Sequence, residues 1–268
     1  MESLAELRAR RAFECRLVPA RALRSLDEAA AFLRDRGLLT RTADCALPSL
    51  YEACHDDPYR PGRPGFATWP AHKWPWFGEL GGRGYLITAV HRSKNLMVSG
   101  EVAALLDPIC RAEIERMRAF DGGWRRLLDH LAAVGPSSIE DLRTELRLKR
   151  QELKALRYPL ERCGAIVSRS MLGGVAGSGL EVTAGAGEQH SSVLARWDQA
   201  YPAGGGAGTD PGHALKELVV AGVRAAVVAP EAEIRRWFSW QWYWSGTLTG
   251  DLVSGGRLRR VEGYLTAP

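Results

Sequence analysis

Residues 122–183 read GGWRRLLDHLAAVGPSSIEDLRTELRLKRQELKALRYPLERCGAIVSRSMLGGVAGSGLEVT, and the succession of signals in this stretch decides the fold. Trp124 to Val134 carries helical periodicity, and Gly135-Pro136 breaks it. Ser137 followed by Glu140 is a capping-box pattern, in which Ser caps the backbone and Glu reaches back, and it opens a second helix running to about Leu146. Lys149 to about Cys163 is a third helix, ended by Gly164. Ala165 to Arg169 and Leu180 to Thr183, joined by a glycine-rich tip at Gly173 to Gly179, read as a hairpin. Three helices followed by a two-stranded wing is the winged helix-turn-helix order.

The same signals recur on both sides. Ser25 and Glu28 open a helix with Leu26, Ala29, Ala30 and Leu33 on one face, ended by Gly37. Ser49 and Glu52 open a shorter one. Residues 57–84 are too rich in proline for regular helix. Gly84 to Val90 reads as a strand, and Glu101 to Phe120 returns to helical spacing. Residues 203–212, AGGGAGTDPG, mark a boundary. After it, Ala214 to Val228, Glu231 to Phe238 and a segment through Val253, which includes Trp240 to Ser245, repeat the three-helix order, and Gly255 to Leu265 resembles a second wing. The expected fold is therefore mostly α (α+β), with tandem winged helix-turn-helix modules and short β-wings. The expected domains are residues 1–120, a degenerate helical or winged-helix domain with a Pro/Trp-rich insertion; 121–200, a middle winged helix; and 201–268, a C-terminal winged helix.

A chain of 268 residues with 46% hydrophobic and 25% charged residues can bury a core without staples. Five cysteines without CxxC spacing point to reduced thiols in a cytoplasmic setting. No apolar run is long enough to span a membrane, and the N-terminus has no signal-peptide core. The net charge of +5 permits a nucleic-acid partner without demanding one.

Chemistry concentrates in the third helix of the middle unit. Leu153, Leu156 and Leu160 are spaced to face inward, while Arg150, Lys154 and Arg157 fall at i, i+4 and i+7 on another face, with Lys149 at the helix start. Arg169 follows on the wing. Together they form the expected DNA-binding set, presenting cations to phosphates or base edges. Pro159 predicts a kink or an early stop. In the last unit Trp240, Trp242, Tyr243 and Trp244 carry no cation beside them, and favour packing over base stacking. Spacing i, i+2, i+4 on a helix cannot put all three indoles on one face. Cys54, His55, Asp56 and Asp57, with His72 and His91 downstream, match no zinc spacing, so no metal is read from sequence. No nucleotide or nucleophile motif is present, so no cofactor is expected. Asp56 and Asp57 are the candidate general bases, with Asp44 as a further carboxylate.

Arg16-Leu-Val-Pro, Leu26-Asp-Glu-Ala-Ala-Ala-Phe-Leu, Leu47-Pro-Ser-Leu-Tyr-Glu-Ala, Gly135-Pro-Ser-Ser-Ile-Glu-Asp-Leu-Arg and Leu252-Val-Ser-Gly-Gly-Arg-Leu-Arg-Arg-Val-Glu-Gly together resemble the AlkZ-like tandem winged-helix superfamily. In particular, the chain is similar to the shorter AlkZ-related proteins found beside the true glycosylases. The resemblance implies double-stranded DNA as partner. The family's glycosylases, which act on alkylated or crosslinked DNA, carry a Gln-x-Gln or Gln-x-Asp motif that positions water. Here the glutamines are Gln151, Gln189, Gln199 and Gln241, and none has Gln or Asp two positions on. The expected function is thus DNA binding in lesion recognition, repair or regulation, without an identifiable catalytic motif. A monofunctional DNA glycosylase and a protein-interaction scaffold are the alternatives.

Overall fold

The structure, a computed structural model, describes residues 2–55, 71–120, 122–170, 192–202 and 209–268. It is a mixed α+β chain with small antiparallel sheets. Helix α1 (Leu4–Glu14) comes first. Then one order of elements, helix–strand–helix–helix–strand–strand, occurs three times. The first copy is α2 (Leu26–Arg36), β1 (Leu38–Thr40), α3 (Leu50–Ala53), α4 (Trp76–Gly82), β2 (Leu86–His91) and β3 (Lys94–Val98). Helix α5 (Gly100–Arg118) follows. The second copy is α6 (Gly123–Val134), β4 (Ser137–Ser138), α7 (Ile139–Glu145), α8 (Arg150–Cys163), β5 (Ile166–Ser170) and β6 (Ser192–Arg196), trailed by α9 (Trp197–Ala200). The third copy is α10 (Pro211–Ala226), β7 (Val228–Pro230), α11 (Glu231–Ile234), α12 (Leu248–Ser254), β8 (Arg259–Val261) and β9 (Tyr264–Thr266). The strand orders are β1-β3-β2, β4-β6-β5 and β7-β9-β8, so in each sheet the last strand lies in the middle.

Local chemistry explains the helix ends. Ser25 and Ser49 each accept the backbone N–H three residues on, as their spacing from Glu28 and Glu52 predicts. In the middle copy the cap is Ser138, which accepts from the Asp141 N–H; Ser137 is instead paired in β4 against Leu194. The sequence reading, which started this helix at Ser137, is one residue early, because sheet pairing claims the first serine. The return strand of β5 is Ser192–Arg196; the proposed strand at Leu180 to Thr183 and its glycine-rich tip lie outside the described residues.

Two prolines sit inside helices without ending them, Pro108 in α5 and Pro159 in α8. A proline leaves the carbonyl four residues earlier without its helical donor. Here those positions are Ala104 and Ala155, both exposed, so water can satisfy the carbonyl and the small side chain leaves room for the ring. Pro159 therefore does not shorten α8, contrary to the expectation.

One hydrophobic core runs through elements of all three copies, and α5 is its spine, packing on α10, α6, α9, α8 and β3. Two buried carboxylates on α5 hold neighbours by hydrogen bonds. Asp107 accepts from the Trp197 indole at 2.8 Å and from Arg111 Nε at 2.9 Å. Glu113 accepts from the Trp242 indole at 2.9 Å and from Arg116 Nη2 at 2.6 Å. Burial first, and then the Glu113 charge, push the Tyr243 hydroxyl above its ordinary pKa. Helix α1 packs on the sheet at the other end of the chain: Leu4 and Leu7 bury against Val228, and Arg8 donates to the Tyr264 hydroxyl at 2.8 Å. All five cysteines are free thiols, and among the described residues no helix is long and apolar enough to cross a membrane.

Candidate functional site

Helix α8 is the third helix of the middle copy. It buries Leu153, Leu160 and Cys163, with Leu156 half-buried, and Gly164 closes it at φ 80°. A Cβ there would lie 2.5 Å from Cys110 Sγ, so glycine meets both a left-handed backbone and a close approach of α5. Its start is fixed by the Lys149 N–H donating to Glu152 Oε2 at 2.7 Å.

The outer face holds Arg150, Lys154, Tyr158 and Arg162, four residues apart and all exposed. Lys149, and Arg147 in the preceding turn, are exposed beside them. Among the described residues, none of Arg150, Lys154 and Arg162 has an acidic partner. Two of the five cations chosen from sequence do other work. Arg157 is half-buried, with Nε 3.4 Å from Glu161 Oε2, and Glu161 also accepts from Ser168 on β5. Arg169 is exposed, but its guanidinium donates to the Ala200 carbonyl at 3.0 Å and staples β5 to the end of α9. Sequence reasoning missed Tyr158 and Arg162. Extending the Arg150–Lys154 step by four residues twice would have found both.

The corresponding helices of the other copies differ. Helix α4 (WFGELGG) and helix α12 (LTGDLVS) contain no lysine or arginine, and Asp251 on α12 is paired with Lys216 at 3.2 Å. The expected helix over Trp240 to Ser245 is not there: Gln241–Tyr243 is a single 3-10 turn. The segment is pulled out of helical path by partners on three different elements. Ser239 N–H donates to the Val90 carbonyl at 2.9 Å, Trp240 Nε1 to the Cys163 carbonyl at 2.9 Å, and Trp242 Nε1 to Glu113. Trp240 is fully buried, whereas Trp242 is half exposed, with the Arg116 guanidinium 4.3 Å from its ring centre.

A second cluster forms where the loop after β1 meets the end of β2. The β2–β3 hairpin turns through Arg92 (φ 52°) and Ser93 (φ 65°), two left-handed residues in succession. That turn sets His91 and Lys94 opposite each other, and both reach Asp44. His91 is fully buried. Its Nδ1 lies 2.6 Å from the Trp237 carbonyl, which can only accept, so Nδ1 carries the proton. Nε2 faces Asp44 Oδ1 at 3.2 Å and Cys45 Sγ at 3.9 Å. Nearby, Glu233 Oε1 accepts from Ala46 N–H at 2.7 Å and from Trp237 Nε1 at 2.9 Å, so α11 locks this loop from the other side. Burial acts to raise the Asp44 pKa, yet the hydrogen bonds and charges of His91 and Lys94 outweigh it and hold the carboxyl well below its ordinary value. Burial, and then the Asp44 and Glu233 charges, push the Cys45 thiol up to about 12.

Asp56 and Asp57 lie outside the described residues. Cys54 and His55 are buried beside α3, and Lys73 Nζ donates to the Cys54 carbonyl at 3.0 Å. The chain matches no protein-family model, no curated protein and no solved structure.

Proposed function

We propose that this chain is a DNA-binding protein of three tandem winged-helix modules that grips duplex DNA with the outer face of α8, in lesion recognition or regulation. In this reading each copy of the six-element order is one module, and α8 is a recognition helix. The observation that carries it is the line of unpaired cations on one face of α8. Several arginines elsewhere are ion-paired, Arg10 with Glu2, Arg83 with Asp27, Arg257 with Glu217 and Arg260 with Glu231, while others, such as Arg224 and Arg236, stand singly among the described residues. On α8, Arg150, Lys154 and Arg162 stand in line with no acidic partner among the described residues, and with an exposed tyrosine between them. Unpaired cations on a rigid helix suit a row of phosphates.

The glycosylase alternative needs a carboxylate free to hold a water against the sugar. Asp44 is poorly suited to that role, since His91 and Lys94 stabilise its charged form and make it a weaker base.

The reading is tested by fluorescence anisotropy of a labelled duplex over a series of salt concentrations. Four phosphate contacts, from Lys149, Arg150, Lys154 and Arg162, should give a plot of log K against log salt with a slope of about −3.6. Absent binding, or a slope near zero, removes DNA and leaves the scaffold alternative.

A further inference from the structure

We propose that Asp44, Cys45 and His91 form a zinc site. Their ligand atoms lie within 4.8 Å of one another, and they are the group of such residues close enough to share an ion among the described residues. With Zn–N, Zn–O and Zn–S bonds of about 2.0–2.1, 2.0–2.2 and 2.3 Å, a tetrahedral ion holds its N and O ligands about 3.4 Å apart and its N and S ligands about 3.6 Å apart. The observed separations are 3.2 Å for His91 Nε2 to Asp44 Oδ1 and 3.9 Å for His91 Nε2 to Cys45 Sγ. Side-chain shifts of a few tenths of an ångström close the set.

The surroundings are those of a ligating histidine. A metal-bound imidazole commonly donates its other ring proton to a carbonyl or carboxylate, which fixes the tautomer and aims the lone pair. His91 Nδ1 does this to Trp237, leaving Nε2 directed at Asp44 and Cys45. Lys94 on the second carboxylate oxygen then orients Asp44 rather than competing for the ion. One thiolate, one imidazole and one carboxylate favour zinc over magnesium or calcium, which take oxygen ligands. Binding replaces the Cys45 S–H bond by a Zn–S bond and the His91 Nε2–H bond, which otherwise points at Asp44, by a Zn–N bond, and both protons leave to solvent. Cys45 and Asp44 are each partly exposed, so the fourth position opens to water. The ion would join the loop after β1 to the end of β2 and, through Trp237, to the third copy. The inference does not depend on DNA binding.

The test uses the tag-free chain titrated with cobalt(II) and then zinc. One cobalt per chain is expected, with a thiolate-to-cobalt absorption band in the near ultraviolet that zinc abolishes. Cys45→Ser should lose that band and weaken zinc binding at least about 10-fold, on the order of what support-shell changes alone produce. Asp44→Asn, at a part-exposed position, should keep the band and weaken zinc comparably. Circular dichroism checks that each variant is folded, and if one is not, the other decides. No stoichiometric binding, or binding unchanged in a folded variant, overturns the proposal.

Discussion

Truncating Trp240 to Ala is expected to lower the stability of the chain by about 3–5 kcal/mol. The indole is 1% exposed and lies in the continuous core, stacked near Phe238 with ring centres 6.1 Å apart. Its removal opens a cavity between the third copy and the end of α8, because the indole N–H reaches the Cys163 carbonyl at 2.9 Å. The carbonyl would then be left without that donor, which adds to the packing loss. Urea denaturation followed by fluorescence of the remaining tryptophans measures the change. Trp240→Phe should recover much of it by refilling the volume. A Trp240→Ala variant within about 1 kcal/mol of wild type would mean that the aromatic segment does not anchor the third copy.

Replacing Asp107 by Ala should cost about 1–3 kcal/mol or somewhat more, chiefly the penalty for leaving the buried Trp197 indole N–H without its acceptor. Asp107 is 0% exposed, and Arg111 binds both its oxygens, at 2.9 and 3.0 Å. The Trp197 indole N–H is equally buried and donates to the same carboxylate. Arg111 is 32% exposed and can turn to water; the indole cannot, so the orphaned N–H should dominate the loss. Asp107→Asn keeps an acceptor for Trp197 and should cost less than Ala. Equal losses for Ala and Asn in the same denaturation assay would assign the stability to the charge pair instead of the indole.

What was legible in the sequence follows from the range of each interaction. Helix starts were readable where a serine and a glutamate three apart act on each other, as at Ser25 and Ser49. The cap at Ser138 was misplaced because its neighbour Ser137 pairs with Leu194, a contact outside any local window. Strands β1, β4 and β7 have two or three residues each, too few to show alternation, and exist because a distant hairpin strand pairs with them. Only the first part of the cation row on α8, Lys149, Arg150 and Lys154, was picked out by helical spacing. That Arg157 pairs with Glu161 could have been read from the same i,i+4 spacing, whereas the reach of Arg169 to the Ala200 carbonyl needed the folded chain. The Asp44–Cys45–His91 cluster was invisible for the same reason: a hairpin turn and the Trp237 carbonyl of the third copy assemble it. The aromatic run from Trp240 fails as a helix because N–H groups of Ser239, Trp240 and Trp242 bind three separate elements, and tertiary partners override a weak propensity.

If α8 meets phosphates through its unpaired cations, as proposed, a paired salt titration will register the loss of those contacts. Duplex affinity is measured for wild type and for the combined Lys149→Ala, Arg150→Ala and Lys154→Ala variant, with Arg157→Ala as the control whose charge is already committed to Glu161. The three substitutions should weaken binding on the order of 10²–10³-fold near 0.1 M salt and flatten the slope by about 2.7 units, while the control changes neither substantially. Equal affinity and equal slope for the triple variant and wild type would contradict the account and place the DNA, if it is bound at all, on another face.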